Sequence, residues 1–509
     1  TGASIGSIVN QVSGRVAEGA FSFGAAIANE GSIGTISNAG TLLGSGTADS
    51  AISIASTATV GTIANIGSAS AILGTGLGSA GINSSGTIGT LTNAGTISTT
   101  GSGVTIAAGS VGSIVNVSSG TIITTGAGNS GIVVGTFATV ASLTNLGSVV
   151  GSGTSTRGIS VGTRGTIGTL TNNGTLLGSG IIADGLQVAI LGTINTLVNN
   201  GVIQGTGLLA EAIAVPQGFV GTISNTGTIQ GDEAGIVITT GTVGTINNLT
   251  GGLIAGGHTG IANVTGTIPV VINNAGTISG PVSLSAGPDA VNMLAGGTIA
   301  GSIVGSVGSG ASVNFRLAPS GTYALASGGI ASVDTVSIAT GTVVTNAVST
   351  ISGARLVTVG VGAGLNAGGT IGTGTLSNSG TITSSGDGSV LSSIQTIVNN
   401  GGGVIQGNSV AINAGTSMAA VLNSAGARIT GTQAGISIGE SSSGLCSVIC
   451  LIGYNAIGTI DNSGLISGTI GISDAGKIGT IVNNVGGTIF GSGGTAIART
   501  VNFLDSTAG

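Results

Sequence analysis

The chain has 509 residues, of which 103 are Gly, 5 Pro, 8 Lys or Arg and 14 Asp or Glu, for a formal net charge of -6. Glycine without a Gly-X-Y period excludes collagen, and apolar residues at 40% with charge at 4% are the reverse of a disordered composition. No basic stripe is available for nucleic acid, and no uninterrupted apolar run of about 18 residues predicts a transmembrane helix.

One twelve-residue phrase then governs the chain from its first residues: Ile/Val-Gly-Thr/Ser-Ile/Leu-x-Asn-x-Gly-x-Ile/Leu-x-Gly. It is cleanest from Ile33 to Gly44. Its asparagines are Asn10, Asn38, Asn65, Asn93, Asn116, Asn145, Asn172, Asn199, Asn225, Asn248 and Asn274. Successive positions differ by 23 to 29 residues, with a mean near 26. A fixed period in this range marks a stacked repeat architecture.

Within the phrase single apolar residues alternate with hydroxyl residues, as in Thr90-Leu91-Thr92, and a period of two means strand. Gly40, Gly95, Gly174 and Gly227 follow the Asn by two residues and mark bends. An alternating apolar pair closes many repeats, among them Ile52/Ile54, Ile132/Val134 and Leu186/Val188. Each repeat therefore holds three short strands, each pairing with its counterpart one repeat on. The expected fold is all-β: a single elongated parallel β-helix with about 26 residues per turn. It would have about 20 turns and, at roughly 4.8 Å per stacked strand, a length of about 95 Å. Each Asn is expected to stack on the Asn of the next turn, as amides do in cross-β ladders.

Residues 1–280 form the regular array. Over 281–364 the phrase is lost and Asp289, Arg316, Tyr323, Asp334 and Arg355 appear; this stretch reads as irregular solenoid or as a small subdomain. A second array spans 365–509, with Asn378, Asn399, Asn462 and Asn483 in phrase and Ser424 standing in the Asn place after Leu422. An insertion near 440–454 carries Cys446 and Cys450, which in an exported protein are expected to form a disulfide closing a small loop, the alternative being two free thiols. Its apolar residues either fold back on the solenoid or form a contact knob.

Chemistry is scarce. Hydrolases on such scaffolds need carboxylates converging on one groove, yet Asp232-Glu233 is the only adjacent acidic pair and reads as a solvated turn with no similar partner one repeat away. His258 is the sole histidine, which excludes a multi-histidine metal site and a credible Ser-His-Asp set. No catalytic, cofactor or metal residue is expected, and the chain reads as no enzyme. The remaining surface feature is hydroxyl: the residue before the core Ile/Leu is Ser or Thr in nearly every phrase, and the residue after it often is. Thr35, Thr90, Thr92, Thr169 and Thr171 belong to this ladder, which points outward if the apolar residue points inward.

The phrase Gly-Thr-Ile/Leu-x-Asn-x-Gly-Thr-Ile, repeated over most of the chain, resembles the passengers of bacterial autotransporters and related large surface adhesins. The resemblance implies export, folding outside the cell, and adhesion or display. The complete family pattern also has a signal peptide and a C-terminal membrane barrel; neither pattern is visible here, which reads as a passenger cut free or a different export route. The hydroxyl ladder separately resembles the Thr-x-Thr faces of ice-binding β-solenoids. The ladder begins at Ile5 and strand-like sequence runs on past Ile497, without an obvious polar cap, so head-to-tail pairing with further copies is expected, giving a homo-oligomer or filament. The expectation is thus a secreted, non-enzymatic adhesin or fibre subunit at the extracellular or bacterial cell surface, contacting itself and a host or neighbouring cell. Ice binding is the alternative.

Overall fold

The computed structural model describes residues 3–18, 24–266, 268–384, 391, 393–414, 416–438 and 455–499. It is an all-β parallel solenoid of about 19 coils, with about 25 residues and three strands per coil. The chain forms two compact units, Thr1–Ser283 and Leu284–Gly509.

In the first unit one coil shows how the phrase becomes structure. Its long strand is Thr166–Asn172, its middle strand Thr175–Ser179 and its short strand Asp184–Val188. Each pairs in parallel with its counterpart on the next coil: Leu170 faces Leu197, Leu176 faces Ile203 and Leu186 faces Ile213. Ile167, Leu170, Leu176, Leu186 and Val188 all turn inward and are fully buried. Stacking places like on like, so the interior consists of continuous aliphatic columns such as Ile63-Leu91-Ile114-Leu143-Leu170-Leu197. Each such side chain contributes about 1.5–3 kcal/mol by burial.

The asparagine is the last residue of the long strand, and its side chain lies inside the coil rather than on the bend. Asn38 to Asn274 are 0–1% exposed. Asn172 is typical. Its Nδ2 donates to Asn199 Oδ1 at 2.8 Å and to the carbonyl oxygen of Val202 at 2.9 Å, and its Oδ1 accepts from Asn145 Nδ2 at 2.8 Å. The amide-to-amide bond recurs without a break from Asn10 to Asn274, always at 2.8–2.9 Å and always donated towards the later coil. Gly174, two residues on, is needed for space: a Cβ there would overlap the carbonyl oxygen of Gly147 on the preceding coil.

The second unit keeps the coil and changes the ladder. Across 290–359, where the phrase is lost, strands still stack: Ala290–Leu294, Ser312–Arg316, Thr335–Thr340 and Ile351–Val359. Register puts Met293, Phe315, Ile338 and Val359 in one column, which runs directly into Asn378. These four are buried. The asparagine position is therefore filled by an apolar stack, which is why the phrase vanishes while the coil persists. The amide ladder resumes through Asn378, Asn399, Asn423, Asn462 and Asn483 at 2.7–2.9 Å.

One sequence expectation needs correcting here. Asn423, and not Ser424, holds the ladder place, bonding both Asn399 and Asn462. Leu422, two residues before Ser424, is 37% exposed, while Val421, two residues before Asn423, is fully buried. The Cys446/Cys450 pair and the insertion that carries it lie outside the described residues.

Asn172→Ala would take the amide donor from the buried Asn199 Oδ1 and from the Val202 carbonyl oxygen, and the amide acceptor from Asn145 Nδ2. The expected loss is about 1–3 kcal/mol in unfolding free energy, read from urea denaturation. Gly174→Ala, which overfills the bend, is expected to cost about 1–3 kcal/mol, whereas Thr171→Ala on the outer face should change the midpoint little.

Candidate functional surface

The outer face of the long strands in the first unit is where hydroxyl side chains accumulate. Ser7, Thr35, Thr62, Thr90, Ser113, Ser142, Thr169, Thr196, Thr222 and Thr245 stand in strict register, one per coil. Thr35, Thr90 and Thr169 thus share one column. Thr92 and Thr171 lie in a second column two residues further on, interrupted by Val9, Ala64, Val115, Val198 and Asn247.

Sequence reasoning missed a further column. Ser4, Ser32, Thr59, Thr87, Ser110, Thr139, Thr166 and Thr193 align on successive coils, with Phe219 and Thr242 completing the row. All are exposed or half-buried. The signal was present as a Ser/Thr before most of the Ile/Val-Gly pairs. It was overlooked because a period of two counted back from the core Ile/Leu does not cross the Gly. Inward Val60 and Ile63 are three residues apart, so the strand bends at Gly61 between them. The two complete columns therefore flank a strip made mostly of Gly. The result is a face with no charged side chain in either column.

A polar cluster sits on the short-strand side of the same unit. Arg157 and Asp184 are register partners. Arg157 Nε lies 3.6 Å from Asp184 Oδ2, and Gln187 Nε2 donates to that oxygen at 3.2 Å. On the next coil the Glu211 amide donates to Asp184 Oδ1 at 3.4 Å. Burial raises the Asp184 carboxyl above its ordinary range. Burial, and then the charge of Asp184, push Glu211 up to about 8. Glu233, another coil on, adds repulsion to Glu211 and pairs with His258 Nδ1 at 3.0 Å. The expectation that Asp232-Glu233 has no similar neighbour one repeat away is thus corrected. The interval from Glu211 to Glu233 is shorter than the phrase period, so the pairing does not show in the period. Asp232 itself caps a turn, accepting the Gly207 amide at 2.7 Å.

Aliphatic corner tips form the other unforeseen feature. Ile181, Ile182, Leu208 and Leu209 are 45–69% exposed on adjacent coils, and the Ile182 amide donates to the Leu208 carbonyl oxygen at 2.9 Å. Ile182 and Leu209 adopt φ of 57°, a region in which sequence patterns anticipate Gly or Asn rather than aliphatics.

Among the described residues no group of three or more His, Cys, Asp or Glu gathers as metal ligands, and no helix is long and apolar enough to cross a membrane. No protein-family model, curated protein or solved structure matches the chain.

The carboxyl pair has a consequence for stability. Glu211 titrates near 4.5 when unfolded and near 8 when folded, so the folded chain holds the extra proton between those values. Its stabilising contribution is complete below about pH 4.5 and is lost as pH rises to about 8. Thermal unfolding midpoints are expected to fall across that window, and Glu211→Gln to flatten the fall.

Proposed function

We propose that the chain is a surface-displayed, non-enzymatic β-solenoid that adheres through its hydroxyl face, of the kind that bacterial autotransporters export as passengers. The observation that carries this reading is the pair of in-register Ser/Thr columns flanking a glycine strip over ten coils of the first unit. Such a face offers the same pair of hydroxyl groups at nine of its ten coils, Phe219 taking one place beside Thr222, and no groove into which reacting groups converge. A partner surface would be held by many equal, weak contacts, whose joint strength grows with the number engaged. The scarcity of charge and the repeat phrase support an extracellular setting.

A second reading, ice binding, is favoured by one feature: Thr90/Thr92 and Thr169/Thr171 are hydroxyl pairs two residues apart on single strands, the latter aligned with Ser142/Thr144 on the preceding coil.

Latex beads coated with the purified chain would be presented to bacterial and epithelial cell surfaces. Adhesion is expected to exceed that of uncoated beads, and a variant with Thr87, Thr90, Thr166 and Thr169 all replaced by Lys should lose most of it without losing its unfolding transition. Adhesion equal to the bare bead would overturn the reading. Thermal hysteresis in the same preparation, abolished by the same four substitutions, would move the assignment to ice.

A further inference from the structure

Glu18 and Asp49 occupy one corner between the first two coils and reach across it in opposite directions. Glu18 follows the strand Arg15–Ala17 on the first coil. Its Oε1 accepts the amides of Ser45 and Gly46, on the second coil, at 2.7 and 3.0 Å. Asp49 precedes the strand Ser50–Ile54 on the second coil. Its Oδ1 accepts the amide of Gly24, back on the first, at 2.8 Å. Gly24 is where the two meet, since a Cβ placed on it would lie 3.6 Å from Glu18 Oε2.

Each carboxylate therefore spends one oxygen on the backbone of the other's coil. The second oxygens, Glu18 Oε2 and Asp49 Oδ2, are both buried and both lack a hydrogen-bond partner. Asp49 as a whole is 5% exposed. Among the described residues neither carboxylate forms a salt bridge; the ion pairs there join Arg157 to Asp184, His258 to Glu233 and Arg355 to Asp334.

The next coil fills the same corner without a carboxylate. Ser50 pairs with Ala80, so Ser79 stands one residue before that pair as Asp49 does, and the Ser79 hydroxyl donates to the Gly46 carbonyl oxygen at 2.6 Å. A hydroxyl brings its own proton to this position, whereas a carboxylate brings only acceptors. Two buried carboxylate oxygens without donors are costly and call for a positive partner. The free donors are all oxygen, with neither His nor Cys beside them, which selects a hard cation over zinc or copper.

We propose that the Glu18/Asp49 corner binds a divalent cation of the calcium class through Glu18 Oε2 and Asp49 Oδ2. Calcium takes six to eight oxygens in flexible geometry, so backbone carbonyl oxygens and water complete a shell that two carboxylates begin. With one ligand on each coil, the ion clamps the first coil to the second.

Titration calorimetry of the EDTA-treated full chain with CaCl2 tests this. One saturable site per chain is expected, together with an upward shift of the unfolding midpoint. Asp49→Ser, which reinstates the hydroxyl seen at Ser79, is expected to abolish both the heat and the shift. It should also leave the calcium-free protein at least as stable as the original. Glu18→Gln gives the same reading should the first variant fail to fold. No heat from the original chain, or undiminished binding by Asp49→Ser or Glu18→Gln, would overturn the proposal.

Discussion

The regular coils of both units rest on the buried amide of one asparagine each. A primary amide has two donors and an acceptor, and buried amides left unmatched are expensive. Here the demand is met along the stack: each amide bonds the next amide and the backbone of the next coil. The bond works only if every long strand starts and ends level with its neighbours. A slip of one residue would turn the amide out and the adjacent outward residue in. The ladder thus fixes register in a way that aliphatic columns alone do not, because one Ile slides past another at small cost. Length variation is pushed into the corners. Asn93 and Asn116 are 23 residues apart and Asn116 and Asn145 are 29 apart, yet both intervals end on long strands of seven residues.

The stretch without asparagine shows the other side of this constraint. From Met293 to Val359 the same inward position is apolar. Burial there supplies energy without demanding alignment. The long-strand ladders in this stretch carry register shifts, between Phe315 and Arg316 and between Ile351 and Ala354. An apolar stack tolerates such bulges, while an amide chain would be cut by them. The two fillings of one position hold the same fold with different strictness.

This explains what could be read in advance. Strand number per coil, inward columns and stacking direction follow from period and alternation, because both are properties of each phrase taken alone. Features that join two coils through their corners do not. Glu18 with Asp49, and Asp184 with Glu211 and Glu233, are separated by intervals set by corner length, which varies from coil to coil. Asn423 was missed for a related reason: Leu422 is as apolar as any core residue, and only the position of Val421 in the coil shows which of the two faces in. The column containing Thr59 and Thr87 was hidden by the bend at the intervening Gly, which breaks the two-residue rhythm.

The inner ladder and the outer face are one arrangement seen from two sides. Because the amides hold every long strand level, the Ser/Thr columns outside inherit the same spacing from coil to coil, about 4.8 Å for paired strands. On the adhesive reading proposed above, a face of this kind would recognise by periodicity instead of by charge. With no ionic side chain in either complete column, its contacts escape the screening that salt imposes on charged interfaces. No single hydroxyl matters much, so substitutions along a column are tolerated, as Phe219 shows by replacing a hydroxyl without disturbing the register on either side. What cannot vary is the spacing, and the spacing is set by residues that never reach the surface. Selection on such a surface would therefore fall most heavily on the buried asparagines beneath it.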